Sequence, residues 1–259
     1  MLTSKFFGIL SFACFGAVAL TATPSDAVVI NFDDWQKFGD VITPAAGSTS
    51  MSNDRLVDDD VLNDDQNPPE NGTFSYTKNI PALRAFPRNP DGILQPRLGL
   101  DRDTLDILGQ AREGSAVKTT YDAKAGDKLT FNWQFLTNET EAKYNDFGFF
   151  SVSTKNSSDN TTNTIVYQLA NITNASNPST FFLQETGINS YLYTFSTDGT
   201  YDLAFGVVDI DDPKVTSGLQ ITNANLQSAP EPISIVSSIV ALGCGASLRR
   251  RFGKKGVKF

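Results

Sequence analysis

Two groups of oxygen-bearing side chains stand where strong strand patterns stop, and their types and spacing suit cation chemistry. Asn138 and Glu139 with Asn145 and Asp146 make the first; Asp209 with Asp211 and Asp212 makes the second. Carboxylate and amide oxygens from neighbouring strand ends are ligands a hard cation prefers, so Glu139, Asn145, Asp146, Asp209, Asp211 and Asp212 form a candidate Ca²⁺ site. Asn and Asp also favour turns with no metal present. Paired carboxylates can hydrolyse a glycoside, and Glu139 with Asp146 or Glu185 would be such a pair, yet spacing in sequence sets neither separation nor pKa. We assign no catalytic residue and expect no enzyme. Trp35, Tyr144, Tyr191 and Tyr193 are aromatics on which a sugar ring could stack, the basis of an alternative carbohydrate-binding reading.

Composition narrows the chemistry further. The chain has no histidine, which removes Ser-His-Asp and Cys-His catalysis and His-based metal sites. Its two cysteines, Cys14 and Cys244, lie in apolar segments near the two ends, so residues 28–229 contain no disulfide and depend on their own core. Seven of the 21 Lys and Arg, but only two of the 29 Asp and Glu, fall outside residues 28–229, leaving that segment at −13. Such acidity disfavours nucleic acid and anionic lipid as partners and suits divalent cations or plain solubility.

The elements that must position these residues are strands. Leu129, Phe131, Trp133 and Phe135 alternate with Thr130, Asn132 and Gln134, and a period of two puts the large side chains on one face. Tyr201, Leu203, Phe205 and Val207 form a second such face, expected to oppose the first across a core. Further strands are expected over 28–32, 73–77, 116–121, 146–153, 164–169, 179–183, 190–195 and 218–226. Residues 40–72, rich in Gly, Ser, Thr, Asn, Asp and Pro, read as a loop-rich insert; 81–96 read as a Pro-rich connection, and 103–110 as one short helix capped by Asp103. Many short strands with almost no helical periodicity predict an all-β fold, an antiparallel β-sandwich of jelly-roll type, over residues 28–229. Sequons at Asn71, Asn138, Asn156, Asn160, Asn171 and Asn174 are equally well explained as turn chemistry.

The ends carry address information. Lys5, the apolar stretch 6–20 and small residues up to Ala27 have the layout of a secretory signal peptide (1–27), with Val28 as the mature start. At the other end, Pro230-Glu231-Pro232 precedes an apolar run, 233–248, then Arg249-Arg250-Arg251 and a basic tail. The run is just long enough to span a membrane with help from its flanks, and the positive charges after it place the tail in the cytoplasm. This three-part arrangement over 230–259 resembles the PEP-CTERM sorting signal of bacterial envelope proteins. The resemblance implies recognition by an exosortase-type membrane transpeptidase, transient anchoring in the inner membrane, and delivery to the cell surface or extracellular matrix. Pro230, Glu231, Pro232, Arg249, Arg250 and Arg251 would be the processing signal. By association, it also implies an exopolysaccharide partner.

A second resemblance rests on Glu113-Gly114-Ser115-Ala116, Ala125-Gly126-Asp127-Lys128-Leu129-Thr130-Phe131-Asn132-Trp133, Phe135-Leu136-Thr137-Asn138-Glu139, Asn145-Asp146-Phe147 and Gly206-Val207-Val208-Asp209. These are similar to exported bacterial "choice-of-anchor" modules; the resemblance implies a surface module of unsettled function and does not imply an enzyme. Relatives carry an Asp-Ser pair after the last acidic turn, where this chain has Thr216-Ser217-Gly218.

Overall fold

Alternation carries through into two antiparallel sheets. The computed structural model describes residues 26–53, 76–77, 94–101, 103–155, 162–211 and 215–230. All the strands lie in one compact unit, Ser25–Ala229. The first sheet contains β1 (Val28–Val29), β3 (Asp40–Ala45), β4 (Ser48–Ser52), β6 (Lys128–Thr137), β9 (Asn177–Pro178), β10 (Gln184–Glu185), β11 (Asn189–Thr194) and β13 (Ser217–Gln227). Its path runs β3-β4-β13-β6-β10-β9, with β1 added to β13 and β11 to β6. The second sheet has the order β2-β5-β12-β7-β8, from β2 (Gln36–Phe38), β5 (Ala111–Ala123), β7 (Phe147–Lys155), β8 (Thr162–Asn171) and β12 (Gly199–Ile210).

The two expected faces meet. Phe131 of β6 lies 4.7 Å from Phe205 of β12, edge to face, and Phe150 of β7 stacks on Phe205 at 5.1 Å. Leu129, Phe135, Leu203, Val207, Leu219 and Ile221 complete this layer and are fully buried, each stabilising the fold by about 1.5–3 kcal/mol before entropy is counted. Trp133 is only partly buried against them.

A second apolar layer covers the other face of the five-stranded sheet. Leu94, Leu98, Leu100 and Leu105 pack on Phe147, Phe149, Ala204, Val208 and Ile210. Strand β12 is therefore buried on both sides from Leu203 to Ile210, and small residues make room for the cover. A Cβ on Gly206 would sit 2.3 Å from the Phe149 ring, and one on Gly114 would sit 2.8 Å from Leu94 Cδ2.

Several segments depart from expectation. Part of the supposed insert is the β3–β4 hairpin, turned at Gly47 (φ 72°); its Ser- and Thr-rich strands hide their pattern, yet Met51 is fully buried and β4 pairs with β13. The short helix is α1 (Leu94–Leu98), which begins in the last residues of the stretch taken as a Pro-rich connection, whereas residues 103–109 are turns and Asp103 has φ 62°. Tyr76 and Thr77 form a bend whose backbone N–H groups both donate to Asp40, and residues 179–183 bend between β9 and β10. Val28 and Val29 form an exposed strand, and burial begins at Ile30 and Phe32.

Candidate functional site

Strand ends from both sheets converge at one end of the sandwich and build a buried polar network. Asp146 stands just before β7, Asp209 near the end of β12, Asn53 just after β4, Ser217 at the start of β13 and Thr137 at the end of β6. Asn53 Nδ2 donates to both Asp146 Oδ2 (3.1 Å) and Asp209 Oδ2 (2.9 Å), so one amide holds the two carboxylates together. Asp146 also accepts from Ser217 Oγ at 2.6 Å and from the Ile210 N–H at 3.0 Å. Thr137 Oγ1 lies 2.8 Å from Ser217 Oγ, and Asn53 Oδ1 accepts the Ser217 N–H at 2.9 Å. All five side chains are at most 1 % exposed. Glu113, also buried, opposes Asp209 in the β5–β12 ladder. A carboxylate so deep in a protein persists only where donors surround it.

Asp146 and Asp209 are thus brought together, and the other expected ligands are placed differently. Glu139 is buried but turns Oε1 onto the N–H groups of Thr140 (2.7 Å) and Glu141 (2.8 Å), capping its own loop. Asn145 is half-buried, and its Oδ1 is shielded from solvent with no hydrogen-bond partner among the described residues. Asp211 (φ 68°) is exposed and accepts the Gln110 N–H at 3.0 Å, tying β12 to the loop before β5. Asp212 lies outside the described residues. Among the described residues, no three Asp, Glu, His or Cys are arranged to hold a metal ion.

Sequence reasoning missed the uncharged partners of the network and one further buried carboxylate, Asp40. Asn53 and Asp40 sat inside the supposed insert, and Ser217 reads as an ordinary turn residue. Asp40, fully buried, accepts from Ser52 Oγ (2.5 Å), from the N–H of Tyr76 (2.7 Å) and of Thr77 (2.9 Å), and from Thr77 Oγ1.

A second arrangement occupies the opposite end of β13, roughly 30 Å away at the rise of a strand. Val28 pairs with Leu226, so the first and last strands leave the unit side by side. Asp127, 3 % exposed, accepts the Ala229 N–H at 2.7 Å through Oδ1. Its Oδ2 accepts the Lys124 N–H (3.0 Å) and the Tyr121 hydroxyl (3.2 Å). Burial alone would raise the Asp127 pKa, but the donors of Lys124, Ala229 and Tyr121 outweigh it and hold the carboxyl below its ordinary 3.8. Ala27 is exposed; of the processing signal only Pro230 is described, and Glu231, Pro232, the run 233–248 and Arg249, Arg250 and Arg251 lie outside the described residues. Among the described residues no helix is long and apolar enough to cross a membrane.

Trp35 is 8 % exposed and stacked 5.8 Å from Phe205, which removes it as a sugar platform. Tyr144 lies under Lys143, whose Nζ is 4.2 Å from the ring centre. Tyr191 and Tyr193 are half-buried beside Tyr167 at 5.9 and 6.0 Å. Burial first, then the neighbouring tyrosines, pushes the Tyr193 hydroxyl up to about 12. Among the sequons, Asn171 and Asn174 reciprocally cap the turn Ile172–Asn174, and Asn138 Oδ1 accepts the Leu183 N–H at 2.9 Å.

No protein-family model and no curated protein matches the chain. Among solved structures, the chain is similar to the adhesin domain of Lys-gingipain from Porphyromonas gingivalis W83, at 13 % identity over 79 % of this chain and 90 % of that one, with a TM-score of 0.30. It is similar to a carbohydrate-binding module solved with β-1,4-galactotriose, at 7 % identity over 47 % and 67 % of the two chains, with a TM-score of 0.24. A third is the enzymatically active domain of bacteriophage CBA120 tailspike protein 4, at 13 % identity and a TM-score of 0.26 over 46 % of this chain; the match spans 14 % of the tailspike chain. Similarity this distant carries no functional argument.

Proposed function

We propose that this is an exported protein of the bacterial envelope, with no enzymatic activity, whose sandwich serves as a structural or adhesive module at the cell surface or in extracellular matrix. In this reading residues 1–27 are removed on export. Pro230-Glu231-Pro232, the apolar run 233–248 and Arg249-Arg250-Arg251 are then read by an exosortase-type membrane transpeptidase. One observation carries the reading: the compact unit runs from Ser25 to Ala229, within a few residues of both boundaries deduced from sequence. Expression of the full chain in a host with such a transpeptidase tests it. Mass spectrometry is expected to find a surface or released form that starts at Val28 and ends close to Pro230, and Glu231→Ala is expected to leave the chain in the membrane. Full-length chain accumulating in the cytoplasm would refute the reading.

A second reading, binding of neutral exopolysaccharide, draws on the outer face of the first sheet. Thr130, Asn132 and Gln134 alternate with the buried face of β6, with Ser190 of β11 and Gln220 of β13 beside them. Ser190 Oγ donates to Asn132 Oδ1 at 2.8 Å, and Gln220 Nε2 donates to the Tyr76 hydroxyl at 3.1 Å. These five side chains are polar and uncharged, which suits a hydroxylated ligand without charge. Calorimetry against neutral polysaccharides checks this, and a Gln134→Ala, Gln220→Ala variant that binds as well as the parent would exclude the face.

A further inference from the structure

We infer that the outer edge of the five-stranded sheet, strand β8, which among the described residues pairs with β7 alone, is a self-association surface on which a second copy of this chain adds its own β8, antiparallel, to join two five-stranded sheets into one. The inference needs neither the export nor the anchoring reading.

A sheet edge presents unpaired N–H and C=O groups, and proteins that must stay apart blunt it with short strands, proline, charge or a cover. This sandwich blunts three of its other edges, and β11, the edge strand that shares the flank of β8, has six residues against ten. Strand β2 has three residues and contains Lys37; β9 has two and contains Pro178. Strand β3 contains Pro44, and its start is covered by Tyr76 and Thr77 on Asp40. Strand β8 is long, its ten residues, Thr162–Asn171, include no charge and no proline, and no strand among the described residues covers its outer edge. A bulge opposite Gly148 and Phe149 disturbs its far end, which leaves Thr162 to Gln168 as the regular part.

Charge selects the occupant. Residues 28–229 carry −13, so two copies repel over most of their surfaces. Between Asp159 and Asp198, however, Glu185 is the one charged residue in the sequence. The same stretch holds Ile165 (46 % exposed), Phe181, Leu183, Ile188 and Leu192, five of the eight large apolar side chains exposed among the described residues. Tyr167 of β8 lies 5.9 Å from Tyr191 of β11, so the two edge strands border one flank of the sandwich. This flank, sparse in charge and partly apolar, is where like-charged copies meet with least repulsion, and a two-fold axis lets one strand serve as both partners.

Sedimentation velocity on residues 28–229, which contain both sheets and both apolar layers, tests the inference. Dimer is expected to grow with protein concentration and with added salt, because salt screens the repulsion between acidic bodies. Ile165→Glu with Gln168→Glu places like charges across the new ladder and is expected to weaken association by about tenfold or more. Both side chains are exposed, so its melting temperature is expected to be unchanged; should it fall, Gln168→Glu alone is read in its place. Parent protein that remains monomeric at millimolar concentration in high salt overturns the inference, as does a glutamate variant that associates as tightly as the parent.

Discussion

Replacing Asp146 by alanine separates a hydrogen-bonding role for the buried carboxylates from a metal-binding one. In the native structure the Asp146 carboxylate accepts from Asn53 Nδ2, Ser217 Oγ and the Ile210 N–H, and alanine accepts from none of them. Asn53 keeps Asp209 and Ser217 Oγ keeps Thr137, while the Ile210 amide loses this acceptor. A buried donor deprived of its acceptor costs about 1–3 kcal/mol, and the lost bonds to a charged acceptor add to that, so a total on the order of 3–5 kcal/mol is expected. For a domain of this size each kcal/mol moves the melting temperature by about 2–4 °C, so the midpoint should fall by about 6–20 °C. The assay is thermal unfolding of residues 28–229, parent and variant, with EDTA and with millimolar calcium. If hydrogen bonds account for the network, the gap between the curves is the same in both media. A parent midpoint that rises with calcium and falls with EDTA, while the variant responds to neither, would refute the reasoning and restore the candidate cation site, because a ligand bound only by the folded state must stabilise it.

Three further outcomes are expected. The folded-state pKa of Asp127 is depressed, so the unfolded chain takes up the proton first. The stability this group contributes is complete above about pH 5 and is lost as pH falls through 4 and below; in Asp127→Asn the midpoint is lower at pH 7 and that loss is absent. Spectrophotometric titration should find Tyr193 still protonated after ordinary tyrosines have ionised, with its midpoint near 12; because its folded pKa is raised, stability falls as pH climbs from about 10. Gly206→Ala forces a methyl group into the Phe149 ring and is expected to cost about 1–3 kcal/mol, measured by denaturant unfolding, whereas Gly199→Ala, with no neighbour nearer than 3.7 Å, should cost far less.

Strands whose inward side chains are large and outward ones polar were legible, which is why β6 and β12 and their meeting at Phe131 and Phe205 could be foreseen. The β3–β4 hairpin could not, because Ser48, Thr49, Ser50 and Ser52 have the composition of a loop and become strand through pairing with β13, more than 160 residues later in sequence. Helix α1 was hidden by Pro96 and by its own brevity. The polar network was half legible: Asp146 and Asp209 announce themselves at strand ends, but the amide that joins them, Asn53, is 93 and 156 residues away. Nothing local in a sequence reports a contact of that range. Trp35 takes the commoner place of such an aromatic, the core, but the rings that hold it there, Phe32 at 4.9 Å and Phe205 at 5.8 Å, include one 170 residues away in sequence.

Strand β13 is the last to leave the ribosome, yet it occupies the middle of the first sheet, with β4 on one side and β6 on the other. Until it arrives, β4 and β6 face each other across a missing strand, and the inward faces of Leu129, Phe131 and Phe135 lack Leu219 and Ile221. A chain emerging from its N-terminus can therefore form the five-stranded sheet first, but it cannot close the sandwich before residue 227 has appeared. Completion of the fold is in effect a signal that the whole domain has been delivered. A truncation anywhere before β13 leaves an open, sticky half-structure rather than a smaller working one.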